Sequence, residues 1–329
     1  MTDALDDAAP RGGEDLDPEI RRFVREMSAR WASHPQFAAA RPVEQRRIAE
    51  AVRAPFTAGG PLMASVTEHQ VPPDGAPAVR IRCYRPSAGG LAPALVYIHG
   101  GGWTIFSLDT HDRLMREYAG RAGVVVVGVD YALSPESKFP VALDQVCAVA
   151  RFVGARGREL GIDPSRVAIG GDSAGANLSA AGCLRLRDEG VGALVRALVL
   201  NYGVFDRRLQ PEALRYAGEG YMLTGGEMDA FWGNYVRDER DVDDPLACPI
   251  KADLRGLPPT LMAVAECDVL AEQNLRMAAR LREAGVSVDL RVYRGATHSF
   301  LEAVSIASLA DRALTETARW LGESLGPGR

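Results

Sequence analysis

The chain has 329 residues, 47% of them hydrophobic and 25% charged, and a formal net charge of −5. Such a chain has ample residues for a large core, and its acidic balance excludes the basic footprint of a nucleic-acid-binding protein. No apolar run approaches the length that crosses a bilayer, which excludes an integral membrane protein. Lysine occurs only at Lys138 and Lys251, and the arginines are scattered among acids instead of clustering. The first residues, Met1 to Asp7, are acidic where a signal peptide is basic and then apolar, so the expected location is the cytoplasm. Five widely spaced cysteines, Cys83, Cys147, Cys183, Cys248 and Cys267, lie among apolar or small residues and read as buried free thiols, not as disulfides or metal ligands.

Along the chain, residues 1–15 are acidic and rich in Gly and Pro, the composition of a disordered tail. Asp17 and Pro18 then supply an N-cap and a first helical residue, followed by Ile20, Phe23, Val24 and Met27 on one helical stripe. A second amphipathic helix fits Pro42–Val52. Alternating stretches follow at Val66–Val71 and Val79–Tyr84, with Val79, Ile81 and Cys83 on one face. Short, continuously apolar runs come next, at Ala94–Ile98, Val124–Val129, Val167–Ile169, Ala197–Leu200 and Leu261–Ala265, and Val288–Tyr293 closes the series. Runs of this kind separated by helical stretches describe a parallel sheet covered on both faces. One region breaks the alternation. After Tyr202 the chain spends nearly sixty residues without a strand pattern, and Thr224 to Glu227 has the spacing of a capping box that introduces Met228, Phe231, Trp232 and Tyr235. That aromatic stripe fits local core, or a lid over a cleft.

Chemistry concentrates in two motifs. Arg166–Ile169 runs as a strand into Gly171-Asp-Ser-Ala-Gly175 and then into an alanine-rich helix, the setting of a nucleophile elbow at Ser173. Upstream, Ala94–Ile98 leads into His99-Gly-Gly-Gly-Trp103, a loop suited to an oxyanion hole. The N–H groups of Gly101, Gly102 and Ala174 are the candidate donors. Gly100–Gly102 lacks the lysine and hydroxyl of a phosphate-cradling loop, so that alternative is weak. His99 suits bracing of the loop by a hydrogen bond, and Asp172, which precedes the apex, is no candidate nucleophile.

A serine needs a base, and the base needs an orienting acid. Of His34, His69, His99, His111 and His298, only His298 follows Ser173, on a loop after the last strand. Asp268 follows Leu261–Cys267 at a strand's carboxyl end. Glu266 and Glu272 compete with it, and its alternative role is to cap the next helix. The histidines show no paired ligand spacing, so no metal is expected. Trp103, Phe106, Tyr202, Phe205 and Trp232 are candidate substrate-binding residues, or core of the interrupting region.

With these residues, the chain resembles the hormone-sensitive-lipase-like (bacterial family IV) carboxylesterases of the α/β-hydrolase fold. The resemblance spans roughly residues 60–320 and rests on His99–Trp103, Gly171–Gly175, Asp130-Tyr-Ala-Leu-Ser-Pro-Glu136 and His298-Ser-Phe300. It implies a mostly parallel eight-stranded sheet with helices on both faces and a helical cap. The cap would comprise residues 16–58 and an insertion at 203–245, and the core 59–202 and 246–329. It also implies cofactor-free hydrolysis of short-chain acyl esters, and frequently a homodimer. Two departures stand out. Asp268-Val-Leu-Ala-Glu-Gln273 lacks the family's proline and carries altered acids, and Ala132 and Ser134 replace the usual arginine and alanine, which should alter packing without abolishing activity. Two other functions fit the same residues: a deacetylase or amidase acting on one metabolite, and, less well, a non-catalytic ligand receptor on a hydrolase fold.

Overall fold

The computed structural model describes residues 12–72 and 76–326. Of the tail expected over residues 1–15, residues 1–11 lie outside the described residues. Residues 12–15 turn against the first helix, where the Arg21 guanidinium donates to the carbonyls of Gly13 and Leu16 at 3.1 and 3.2 Å.

Helix α1, Pro18–Ala32, is capped by the Asp17 carboxylate, which accepts from the N–H groups of Glu19 and Ile20. Ile20, Phe23, Val24 and Met27 are buried, as the stripe requires. Helix α2, Pro42–Thr57, runs five residues beyond the expected Val52 and contains Pro55. Proline this near a helix end forfeits only one backbone bond. Phe56 meanwhile packs edge-on against Phe23, with ring centroids 5.0 Å apart, and that burial holds the last turn.

Eight strands form one sheet: β1 Ser65–Val71, β2 Val79–Arg85, β3 Ala92–Ile98, β4 Val125–Asp130, β5 Ile162–Asp172, β6 Val195–Asn201, β7 Thr260–Ala265 and β8 Val288–Tyr293. Their order is β1-β2-β4-β3-β5-β6-β7-β8. Strand β2 runs antiparallel to both its neighbours, and every pairing from β4 to β8 is parallel. Side chains alternate across the sheet. Val125, Val127 and Val129 join the apolar cluster that includes α4 (Val141–Arg156), α5 (Ala174–Asp188) and α7 (Ala271–Glu283), whereas Val124 and Val126 face α3 (Asp112–Ala122) and α8 (Ser308–Leu325). Both faces of the central strands are therefore dry, which explains their unbroken apolar runs.

The topology fixes where chemistry can occur. β3 and β5 lie side by side with Ile98 paired to Gly171, so the loops leaving their carboxyl ends are neighbours. Between β6 and β7 the chain forms no strand. It contains α6, Gly225–Tyr235, and several short 3₁₀ turns. The capping box at the start of α6 is present: Glu227 N–H donates to Thr224 Oγ1 at 3.2 Å and Thr224 N–H to Glu227 Oε2 at 2.9 Å.

Candidate active site

Strand β5 ends at Asp172 and α5 begins at Ala174, leaving Ser173 alone on the turn with φ 53° and ψ −118°. A non-glycine residue there costs on the order of 1–3 kcal/mol and persists only where its surroundings enforce it. The enforcement is visible. Ser173 N–H donates to Asn201 of β6 at 2.9 Å, and its carbonyl accepts from Asn177 at 3.1 Å. The chain also turns back so tightly that a Cβ on Gly175 would fall onto the carbonyl oxygen of Ile98.

The turn aims Ser173 Oγ at His298 Nε2, 2.9 Å away, and His298 Nδ1 lies 2.7 Å from Asp268 Oδ2. A carboxylate only accepts, so Nδ1 carries the proton and Nε2 is left to accept from the serine hydroxyl. All three side chains are buried. The loops that carry the acid and the histidine are clamped to each other: Cys267 N–H donates to Ala296 O at 2.8 Å, and the Thr297 hydroxyl lies 2.9 Å from Cys267 O.

The competing acids are occupied elsewhere. Glu266 accepts from Gly295 N–H at 2.9 Å, and Glu272 lies on α7 near Arg276. Nor does Asp268 cap α7. Leu270 occupies that position, and Asp268 Oδ1 accepts its N–H at 2.9 Å, which orients the carboxylate. The altered residues after Asp268 have their own task. Gln273 Oε1 accepts from Phe205 and Asp206 N–H, and Asn274 exchanges hydrogen bonds with Gly203. Helix α7 thereby fixes the segment that leaves β6.

Gly101 and Gly102 form a turn whose hydrogen bonds run through the Gly101 carbonyl, which accepts from Thr104 and Ile105. Among the described residues neither glycine N–H donates a hydrogen bond, and both glycines line one cavity with Ser173. Ala174 is the first residue of α5, so its N–H has no partner within the helix. At φ 110° a side chain on Gly101 would also run into the Ile105 carbonyl, so only glycine serves there. His99 is buried, and its Nδ1–H donates to Gly100 O at 2.7 Å. Burial depresses its pKa to about 3, so it braces the loop as a neutral ring.

Asp172 and His111 form a buried pair that sequence spacing gave no reason to join. Asp172 Oδ1 accepts from Tyr97 Oη at 2.8 Å and from Gly100 N–H at 3.1 Å, while Oδ2 faces His111 Nε2 at 3.3 Å. The Thr110 hydroxyl donates to Ser107 O, so it accepts from His111 Nδ1–H, and both ring nitrogens of His111 are donors. Burial opposes both charges, yet Asp172 beside it raises His111, and His111 together with Tyr97 lowers Asp172.

A raised histidine contributes stability below its unfolded value of about 6.5 and loses it as pH rises through the folded value. A depressed aspartate contributes above about 3.9 and loses it as pH falls through its own folded value. The pair is therefore fully stabilising between about pH 4 and 6.5. Urea titrations should show the stability gap between the native chain and His111→Phe widest in that window and narrower at alkaline pH. A gap that widens with alkalinity would contradict a charged pair.

A family model described as alpha/beta hydrolase fold matches residues 95–302. The carboxylic ester hydrolase LipN of Mycobacterium tuberculosis is 42% identical over 78% of this chain and 68% of its own. The ethyl acetate hydrolase of Pseudomonas putida is 35% identical over 74% of this chain and 78% of its own. The crystal structure of a thermostable esterase from Pseudomonas putida ECU1011 superposes with a TM-score of 0.90 at 29% identity, covering 97% of this chain and all of the other (100%). The chain belongs to the hormone-sensitive-lipase-like carboxylesterases of the α/β-hydrolase fold.

In this carboxylesterase a cavity of about 60 Å³ opens over Ser173, His298, Gly101 and Gly102. Its walls come from both regions outside the sheet: Trp31 of α1, Arg53 of α2, and Met222, Met228 and Phe231 from the segment between β6 and β7. Of the aromatic residues expected at the substrate, Trp103 and Phe106 line it. Tyr202, Phe205 and Trp232 do not. Tyr202 packs edge-on behind His298, with ring centroids 5.1 Å apart. Phe205 is buried beneath Gly203, and Trp232 is buried against Trp103 at 4.9 Å.

On α6 the two adjacent aromatic residues part. Phe231 faces the cavity and Trp232 the core, because adjacent helical positions point about 100° apart. Arg53, which sequence reasoning missed, sits among Ile48, Ala49, Val52 and Phe56 on the buried face of α2. The altered segment after β4 anchors α2: Arg46 donates to Thr104 O and Ser134 O at 2.9 and 3.0 Å and pairs with Glu136. Among the described residues no group of three or more His, Cys, Asp or Glu is placed to hold a metal, and no helix is long and apolar enough to cross a membrane. The five cysteines are all buried and unpaired.

Proposed function

We propose that this carboxylesterase hydrolyses short-chain esters, from acetyl to about hexanoyl, through an acyl-enzyme on Ser173. The observation that carries this reading is the unbroken hydrogen-bond chain from Ser173 Oγ through His298 to Asp268, opening on a cavity of about 60 Å³. Ser173 Oγ attacks the ester carbonyl as its proton passes to His298 Nε2. Asp268 holds the tautomer and stabilises the imidazolium that forms. The carbonyl oxygen, now an oxyanion, is received by the N–H groups of Gly101, Gly102 and Ala174, each worth about 10²–10³ in rate in comparable sites. His298 then gives its proton to the departing alkoxide, and a water activated by the same nitrogen releases the acid.

Residues 16–58 and 203–245 serve as the cap in this reading, since they supply the walls that limit acyl length. Ethyl acetate as the named substrate of one relative agrees with a small acyl group. A cytoplasmic homodimer completes the proposal. Strand β8 is an edge strand with Val292 exposed, suited to meeting a second copy, and light scattering on the purified chain reports the oligomer.

With nitrophenyl esters of increasing chain length, kcat/KM should peak at or below butyryl and fall steeply beyond hexanoyl. Mass spectrometry of quenched reactions should find one acyl group on the Ser173 peptide. A profile that climbs to decanoyl removes the short-chain assignment. Anilides cleaved faster than their matched esters would favour the amidase instead.

A further inference from the structure

Arg53 is only 4% exposed, yet it lines the cavity that holds Ser173 and His298. It pairs with Glu302, four residues beyond His298, and its guanidinium lies over the Phe106 ring, 4.6 Å from the centroid. Among the described residues its Nε–H has no acceptor. Among the residues around this cavity, Arg53 and Trp103 alone carry a buried side-chain donor left without a partner. Solvation withheld from such a donor is recovered only when something entering the cavity supplies an acceptor. Acyl binding explains the apolar wall. It does not explain a guanidinium in that wall.

We infer that the cavity takes esters bearing a second, neutral oxygen (hydroxyl, ether or carbonyl) a few bonds from the scissile carbonyl, and that Arg53 is the specificity residue that receives this oxygen. The inference rests on the short-ester reading above. Glu302 already balances the charge of Arg53 and His111 that of Asp172, and Glu227 is a further acid facing the cavity, so a carboxylate would meet net negative charge there. A neutral acceptor fits without adding charge. A site built to hydrogen-bond one substrate group discriminates against analogues that lack it, because its own donor is then left unpaired.

The test compares kcat/KM within substrate pairs on the whole chain. Ethyl butyrate against the ethyl ester of β-hydroxybutyrate places the oxygen in the acyl part. Propyl acetate against methoxyethyl acetate places it in the alcohol part. Monoethyl succinate carries the charged analogue. The native protein should favour the oxygenated member of at least one pair by about fivefold to a hundredfold, and should not favour the succinate over butyrate.

Arg53→Met combined with Glu302→Leu removes the ion pair without leaving a lone buried charge, and should bring that ratio to about one. If the double variant does not fold, Arg53→Lys keeps a cation for Glu302 but lacks Nε, and reads the same ratio. Native ratios near one, ratios unchanged in the variants, or a preference for the succinate would each overturn the inference. Turnover of plain esters without any such preference would leave the short-ester reading intact. No turnover of any short ester would remove that reading first.

Discussion

Replacement of Ser173 by alanine should lower kcat on a nitrophenyl acetate by about a millionfold, the loss seen when a triad nucleophile is removed from a serine hydrolase. The prediction is that large because, among the described residues, Ser173 Oγ is the only group hydrogen-bonded to His298 Nε2 and facing the cavity. A residual rate about 10³–10⁴ above that of water should remain, supplied by the amides of Gly101, Gly102 and Ala174 and by substrate positioning. Stability should change little, since alanine adopts the same strained turn and the backbone bonds to Asn201 and Asn177 do not involve the hydroxyl. Thermal unfolding beside stopped-flow kinetics separates the two effects. Turnover within about a hundredfold of the native rate, in a fully folded variant, would show that another group attacks the ester.

The second large effect is expected at Asp268. Asp268→Asn keeps the size of the side chain but turns an acceptor into a group that can donate to His298 Nδ1, which favours the wrong tautomer. The comparable change in a serine protease costs about 10⁴ in kcat. Glu272→Gln provides the control, because Glu272 lies on α7 beside Arg276 and makes no contact with His298. Its kcat should stay at the native level. Equal losses in the two variants would mean that the acid has been misassigned.

Much of this was legible in the sequence, for physical reasons. A strand that ends in Gly171-Asp-Ser-Ala-Gly175 has few ways to turn, and chain order left His298 as the one downstream imidazole. Apolar runs marked the buried strands, and β5 proved longer than its apolar part because Asp163–Arg166 is less deeply buried. Contacts across long separations were not legible. His111 was set aside because it precedes Ser173, yet it meets Asp172 across sixty-one positions. For Tyr202 and Phe205 the sequence left cavity and core both open, and the bonds from Gln273 and Asn274 draw that segment inward. On α6 an aromatic pair at adjacent positions had to split between core and cavity, and periodicity alone did not say which went where. Arg53 was hidden by its own neighbours, since a helical stripe is read for its apolar members.

Ser173, Asp268 and His298 all follow the carboxyl ends of strands of one sheet, whereas Trp31, Arg53 and Phe231 reach the same space from helices outside it. In the function proposed above, bond breaking and substrate choice therefore fall to separable parts of the molecule. Mutations among the outer helices can retune which esters are accepted while the reaction machinery stays in register, so laboratory evolution toward new substrates should accumulate its changes there.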